Sequence, residues 1–163
     1  MPRNVLVAVD DSPLGREALA YALDAFPDAR VVAAHVAFLE FDMLPSDTPE
    51  VDAVGLDELD GVGDETAQRV FEAIRDVVGE RSGVDGDLGS VDGERENSED
   101  GRTVAVSFLT GEPGDRLVEY VEAGGFDHVV LGTHGRDGVS RLLIGSVAED
   151  VVRRTDVPTT LVK

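Results

Sequence analysis

Four runs in this chain are too continuously apolar to lie with one face in water: Val5 to Val9, Val31 to Ala37, Thr103 to Leu109 and His128 to Leu131. A strand with one wet face alternates apolar and polar residues, whereas a run apolar on both faces belongs to a strand covered from both sides. Helical patterns separate the runs. Leu14, Ala18, Leu19, Ala22 and Leu23 share one helix face, as do Val70, Phe71, Ile74, Val77 and Val78, then Leu117, Val118 and Val121, and finally Val147, Ala148, Val151 and Val152. Local signals agree with this spacing. Ser12 and Pro13 read as N-cap and first helical residue, Pro113 opens the third helix, and Arg153 and Arg154 suit the negative end of the fourth. A short fifth strand, Pro158 to Val162, closes the series. The pattern predicts a doubly wound α/β domain, with a parallel sheet covered by helices on both faces.

With 163 residues, 42% of them hydrophobic, the chain is one domain that can bury a full core. Two stretches interrupt the alternation and read as acidic insertions. One, at about 40 to 64, carries Asp and Pro; the other, 83 to 101, is rich in Gly, Asp and Glu without apolar periodicity. The second is expected to be a solvated loop, and neither is assigned chemistry.

The richest chemical signal lies between the fourth strand and fourth helix, in LGTHGRDGVSRLLIGSVAEDVV from Leu131 to Val152. Gly132, Gly135, Gly145 and Ser146 fall in the spacing G-x2-G-x9-G-S. The first N–H groups of a helix lack intrahelical partners and sit at its positive end, so such a junction can receive phosphate oxygens, and glycine lets the backbone approach them. Ser146 and Glu149 also spell a capping box, S-x-x-E, which places the helix start at Ser146 without any ligand. Spacing alone leaves both readings open: phosphate cradle, or helix cap with ordinary turn glycines in a chain that has 18.

Ligands of doubly wound sheets bind beyond the carboxyl ends of the strands, where strand order reverses. If strands one and four are neighbours there, Asp10 to Ser12 meet the glycine loop in one crevice. Asp10 then either accepts hydrogen bonds from a ribose or binds magnesium through water, or it is a turn residue preceding the helix. His134 has no nucleophile beside it and reads as a turn or phosphate-contact residue; His35, inside an apolar run, reads as core.

Charge and composition exclude several classes. There are 34 acidic residues against 14 basic, a formal net charge of −20, and every basic residue except Lys163 is arginine. Self-repulsion of this size disfavours a compact state at low ionic strength, while ~1 M salt shortens the Debye length to ~3 Å. A halophilic, salt-rich cytosol is the expectation, against the alternatives of an acidic protein from an ordinary cell or a locally acidic interaction tail. No basic stripe is present to meet nucleic-acid phosphates. No run approaches the roughly 18 apolar residues of a membrane span, and MPRNVLVAVD enters a strand without a signal-peptide layout, so a cytoplasmic protein is expected. The absence of cysteine excludes thiolate metal sites, and His35, His128 and His134 are too scattered to suggest one.

VLVAVDDSPLGREALAYAL, the strand ending AAHVAF, LTGEPGDRLVEYVEAGGFDHVVLGTHGR and the closing G-x2-G-x9-G-S with VAEDVVRRTDVPTTLVK together resemble the universal stress protein family. The resemblance covers nearly the whole chain outside the insertions. It implies an adenine nucleotide alpha hydrolase-like fold, a five-stranded parallel sheet in the order 3-2-1-4-5, and a homodimer formed through the last strand, Val157 to Val162. Members carrying this glycine loop bind ATP, with Mg2+ as the expected companion. By position, Ala8, Asp10 and Val36 would approach the adenosine, with Leu131 beside the base, and Gly132, Gly135, Arg136, Gly145, Ser146 and Val147 would surround ribose and phosphates. Ala148 stands where ATP-binding relatives often have a hydroxyl residue, and Arg136 where a lysine is common.

The expected function is thus an ATP-binding, nucleotide-dependent stress-response regulator, at most a slow ATPase. The rival is a dimeric stress or scaffold protein that binds no nucleotide, its glycine loop purely structural. A phospho-accepting receiver domain would need an aspartate ending strand three, where Phe108, Leu109 and Thr110 stand, and a lysine after strand five, where Lys163 merely closes the chain. A nucleotidyl-transferring enzyme would need H-x-G-H or a serine- and glycine-rich loop after strand one, and VDDSP is neither.

Overall fold

A computed structural model of the chain describes residues 1–38, 50–82, 104–134 and 144–163. The elements in chain order are β1 (Asn4–Ala8), α1 (Pro13–Ala25), β2 (Arg30–Ala37), β3 (Val51–Val54), a 3-10 turn (Leu56–Leu59), α2 (Glu65–Ser82), β4 (Val104–Thr110), α3 (Pro113–Gly124), β5 (His128–Gly132), α4 (Ser146–Arg154) and β6 (Thr159–Val162). The sheet order is β3-β4-β2-β1-β5-β6. Its five parallel strands stand in the expected 3-2-1-4-5 order. The correction is a sixth strand, β3, which pairs antiparallel with β4 at the edge. Four residues with Asp52 among them are too short for an apolar run to register, so the stretch at 40 to 64 reads as an insertion from sequence. It nevertheless supplies Leu56 and Leu59, both almost wholly buried.

Period-two alternation divides the sheet into two cores. Val5, Val7, Val31, Ala33, Val106 and Phe108 face Leu19, Ala22, Leu23, Val70, Phe71 and Ile74 of α1 and α2. Leu6, Val32, Ala34, Ala105, Val129 and Leu131 face Leu117, Val118, Val121, Ala148 and Val151 of α3 and α4. Each large apolar side chain so enclosed contributes roughly 1.5–3 kcal/mol by burial. This two-sided cover is the reason the strands lack polar alternation.

Helix starts follow local chemistry. The Ser12 hydroxyl accepts the Gly15 N–H at 3.2 Å with Pro13 in the first turn, and Glu112 caps α3 by accepting the Asp115 N–H at 2.9 Å. Gly125 ends α3 at φ 63°, a left-handed position that glycine adopts without a Cβ penalty. In α4 the cap is Gly145, with extended φ −64° and ψ 156°, and Ser146 is already helical. The helix therefore starts at Ser146 as expected, but the Ser146–Glu149 capping box does not exist: a residue inside the first turn cannot act as the cap that precedes it. Among the described residues no helix is long and apolar enough to cross a membrane.

Candidate functional site

Strand β1 pairs with β2 on one side and β5 on the other. The chain passes outward from β1 through β2 to β4, then returns across the sheet by α3 to β5. Strand order thus reverses between β1 and β5, and a cleft opens at their carboxyl ends.

The floor and walls come from every element that ends there. Ala8 ends β1 and Val9 and Asp10 follow it, Ala34, His35 and Val36 belong to β2, and Leu131 and Gly132 end β5, with Thr133 and His134 after them. Pro113 and Leu117 enter from α3, and Gly145 to Ala148 from the start of α4. Of the residues expected from sequence, Ala8, Asp10, Val36, Leu131, Gly132, Gly145, Ser146 and Val147 line this one cleft. Gly135 and Arg136 lie outside the described residues.

Main-chain bonds bring the two ends of the glycine loop together. The Thr133 N–H donates to the Val162 carbonyl at 2.8 Å, and the Gly145 N–H donates to the Thr133 carbonyl at 2.6 Å. The start of α4 is therefore held against the end of β5. Its first regular helical bond runs from the Glu149 N–H to the Gly145 carbonyl, so the N–H groups of Ser146, Val147 and Ala148 precede the intrahelical ladder. They belong to residues that line the cleft, at the positive end of the helix dipole.

Close packing explains two glycines. A Cβ on Gly132 would stand 2.8 Å from Leu14 Cβ, and one on Gly15 would stand 2.8 Å from Asp10 Oδ1 and 2.9 Å from its carbonyl oxygen. Helix α1 thus presses against the ends of both β1 and β5. Gly132 has an architectural use whether or not an anion binds.

Asp10 likewise has a local partner. Its Oδ1 accepts the Ser12 N–H at 3.0 Å and the Ser12 hydroxyl, closing a turn that presents the capping serine to α1. The turn reading of Asp10 is thus correct, and the residue also lines the cleft. His35 is 5% exposed and its Nδ1–H donates to the Val9 carbonyl at 3.0 Å, so the core reading holds while one surface of the residue reaches the cleft. His134 Nδ1 lies 2.9 Å from Thr133 Oγ1, beside the loop.

Among the described lining residues there is no lysine or arginine. An anion held by these residues would rely on main-chain dipoles, and its uncharged end would meet Ala8, Ala34, Val36, Leu117 and Leu131. No group of three or more acidic, histidine or cysteine side chains capable of holding a metal occurs among the described residues.

Sequence reasoning missed the α3 wall. Pro113 and Leu117 were read only as helix start and core, although the return of α3 over the same face as α4 follows from the strand order. It also missed a polar network around β3. Glu50 Oε1 accepts from Thr110 N (2.8 Å), Thr110 Oγ1 (3.2 Å) and Arg116 Nε (3.2 Å), and Oε2 accepts from Arg116 Nη2 at 2.9 Å. The Tyr120 hydroxyl donates to Asp52 and lies 2.7 Å from Ser107 Oγ, which accepts the Ala53 N–H at 2.8 Å. Burial, followed by the bond to Asp52, pushes the Tyr120 phenol up to about 12. The Arg116 hydrogen bond holds Glu50 below its ordinary value. Apart from Ser107 and Tyr120, which are 13 positions apart, these partners are 54 to 68 positions apart, and no sequence spacing signals them.

Known proteins resemble this chain in sequence and fold. The model of the universal stress protein family matches residues 1–163. Universal stress protein MJ0531 of Methanocaldococcus jannaschii is 38% identical over 63 residues, 39% of this chain and 37% of that protein. Universal stress protein MJ0577 of the same organism is 30% identical over 70 residues, 43% of each. The chain thus spans about two fifths of the length of these two relatives. Among solved structures, UspA of Lactobacillus plantarum superposes with a TM-score of 0.64 at 19% identity, covering 99% of this chain and 97% of that one. A universal stress protein in complex with cAMP gives 0.62 at 20%, covering 99% and 97%. The Archaeoglobus fulgidus protein in complex with dAMP gives 0.59 at 17%, covering 99% and 98%. These likenesses establish the fold, and the match of the family model along the full chain establishes descent: the chain belongs to the universal stress protein family.

Proposed function

We propose that the protein binds ATP in the cleft between β1 and β5 and acts in the cytoplasm as a nucleotide-dependent stress-response regulator. The observation that carries this reading is the convergence of apolar walls with the start of α4 in one cleft. Ala8, Val36 and Leu131 offer surface to a base, and Gly145, Ser146 and Val147 offer main-chain N–H groups to phosphates. Family structures with cAMP and dAMP lend support, since both ligands pair an adenine with a phosphate.

Mg2+ fits this site as a companion of the nucleotide. Asp10 is the carboxylate among the described lining residues, and one of its oxygens already serves Ser12. The phosphates and water would supply most of the ligands, and the ion would neutralise phosphate charge in a chain of net charge −20. Binding and orientation are what these residues supply, and no hydrolytic step is assigned to them.

The rival reading, a dimeric scaffold without nucleotide, draws on the architectural uses of Gly132 and Asp10. Both readings accommodate a homodimer through Val157 to Val162. β6 is the last strand of the sheet order, and its far edge can be covered by a symmetry mate. A dimeric mass in light scattering at high salt is the expected result. The net charge of −20 supports a halophilic origin; equal stability by circular dichroism in 50 mM and 2 M KCl would contradict that origin.

Nucleotide content separates the two functions. Protein purified in concentrated KCl with magnesium, then heat-denatured, should release an adenine nucleotide, and a Gly135→Val variant should release little. An empty protein that also fails to take up added ATP would favour the scaffold.

A further inference from the structure

The cleft wall formed by α3 is fixed from outside the cleft. Pro113 and Leu117 line the cleft, and beside them in the chain stand Thr110, at the end of β4, and Arg116, which precedes Leu117. Both are bound by one carboxylate. Glu50 takes two hydrogen bonds from Thr110 and two from Arg116, the latter a bidentate charge-assisted pair. Between them, the Gly111 N–H donates to the Ala37 carbonyl at 3.1 Å, next to Val36 on the opposite wall. Gly111 itself stands at φ 129°, a conformation that leaves the turn dependent on its neighbours for definition. The turn from β4 into α3 is thus tied to β2 by one main-chain bond and to residue 50 by four side-chain bonds.

From this geometry we infer that Glu50 is a positioning residue for the adenosine end of the bound nucleotide, acting through Thr110 and Arg116 on Pro113 and Leu117. The inference rests on the nucleotide-binding reading above. Glu50 itself is not among the residues lining the cleft. The four bonds act first on the apolar wall, because Pro113 and Leu117 follow the tied turn directly, whereas the N–H groups available to phosphates belong to α4. Loosening the clamp should weaken adenosine, AMP and ATP by the same factor.

Asp52 provides the control. It lies two residues further on, within β3, and binds Tyr120 in the later part of α3 and Ser107 of β4, without a bond to the β4–α3 turn. Its loss should lower stability and spare affinity.

The experiment is calorimetric titration of stripped wild-type, Glu50→Ala, Glu50→Gln and Asp52→Ala proteins with adenosine, AMP and ATP in concentrated KCl, each first checked for folding by circular dichroism. Glu50→Ala should bind all three ligands about 3- to 10-fold more weakly, the range expected when partly exposed charge-assisted bonds are lost. Glu50→Gln keeps an acceptor for Thr110 and should recover part of the loss, while Asp52→Ala should bind as wild type does. Unchanged affinity in Glu50→Ala, a loss limited to ATP, or an equal loss in Asp52→Ala would each overturn the inference and leave the nucleotide reading standing. If Glu50→Ala does not fold, wild-type affinity in Glu50→Gln overturns it. Failure of wild-type protein to bind any of the three ligands overturns both.

Discussion

The cleft at the β1–β5 reversal and the strap at β3 are built by opposite means. In the cleft, position is set by main chain: Gly145 to Thr133, Thr133 to Val162, and helix α1 pressed onto Gly15 and Gly132. At the strap, four side chains, Glu50, Asp52, Arg116 and Tyr120, hold an edge strand that pairs with β4 at only two positions, Val51 with Phe108 and Val54 with Val106. A site of the first kind tolerates change of side chain but not added volume. One of the second kind tolerates volume but not loss of a hydrogen-bonding group.

Adding volume to the cleft should have the largest effect. Gly15→Val places a Cβ 2.8 Å from Asp10 Oδ1 and 2.9 Å from the Asp10 carbonyl, with main chain on that side unable to retreat. A loss of about 2–3 kcal/mol in urea unfolding is expected, together with disturbed Asp10 geometry. Wild-type stability in this variant would break the comparison.

Removing a polar group from the strap should cost less. Tyr120→Phe deletes the donor to Asp52 and leaves Ser107 to satisfy that carboxylate alone, at 3.3 Å. A loss of roughly 1–2 kcal/mol is expected, without change in the cleft.

The strap should also loosen at both extremes of pH. The Tyr120 phenol has a raised folded value, so its contribution is complete below 10 and disappears as pH rises from 10 to about 12. Glu50 is depressed below 4.5, chiefly by Arg116, so its contribution is complete above 4.5 and is lost as pH falls through the lower folded value. Urea melts across pH should show both declines in wild type. Tyr120→Phe should abolish the alkaline part and Glu50→Gln should reduce the acid part.

Smaller effects sharpen the contrast. Among the described residues, Ala53 is the non-glycine residue at positive φ, 50°, where the β3 register shifts, and its N–H is held by Ser107. Ala53→Gly should relieve strain worth up to ~1 kcal/mol and leave the protein equally or slightly more stable. Arg16→Ala removes an exposed pair with Asp76, 2.9 Å apart, and should change stability by less than about 0.5 kcal/mol.

The same division explains what could be read from sequence. Main-chain architecture leaves marks that periodicity detects: four apolar runs mark four of the five parallel strands, the short stretch from Pro158 to Val162 marks the fifth, and Ser12, Pro13 and Pro113 mark two helix starts. The cleft residues Ala8, Val36 and Leu131 came from resemblance, and their shared location follows from the strand order. Ser146 was misread as a cap because S-x-x-E does not distinguish a cap from the first helical residue. β3, Glu50 and Asp52 were invisible, since a four-residue strand leaves no periodic pattern and its partners, Thr110, Arg116 and Tyr120, lie 60 to 68 positions away.

Titration of stripped protein with ATP and magnesium in concentrated KCl, beside a Val36→Trp variant that fills the cleft between β2 and α3, tests the central claim most directly. Saturable binding of one nucleotide per chain, lost in the folded variant, is the expected result. No saturable heat with wild type, or equal binding by Val36→Trp, would contradict a nucleotide site in this cleft.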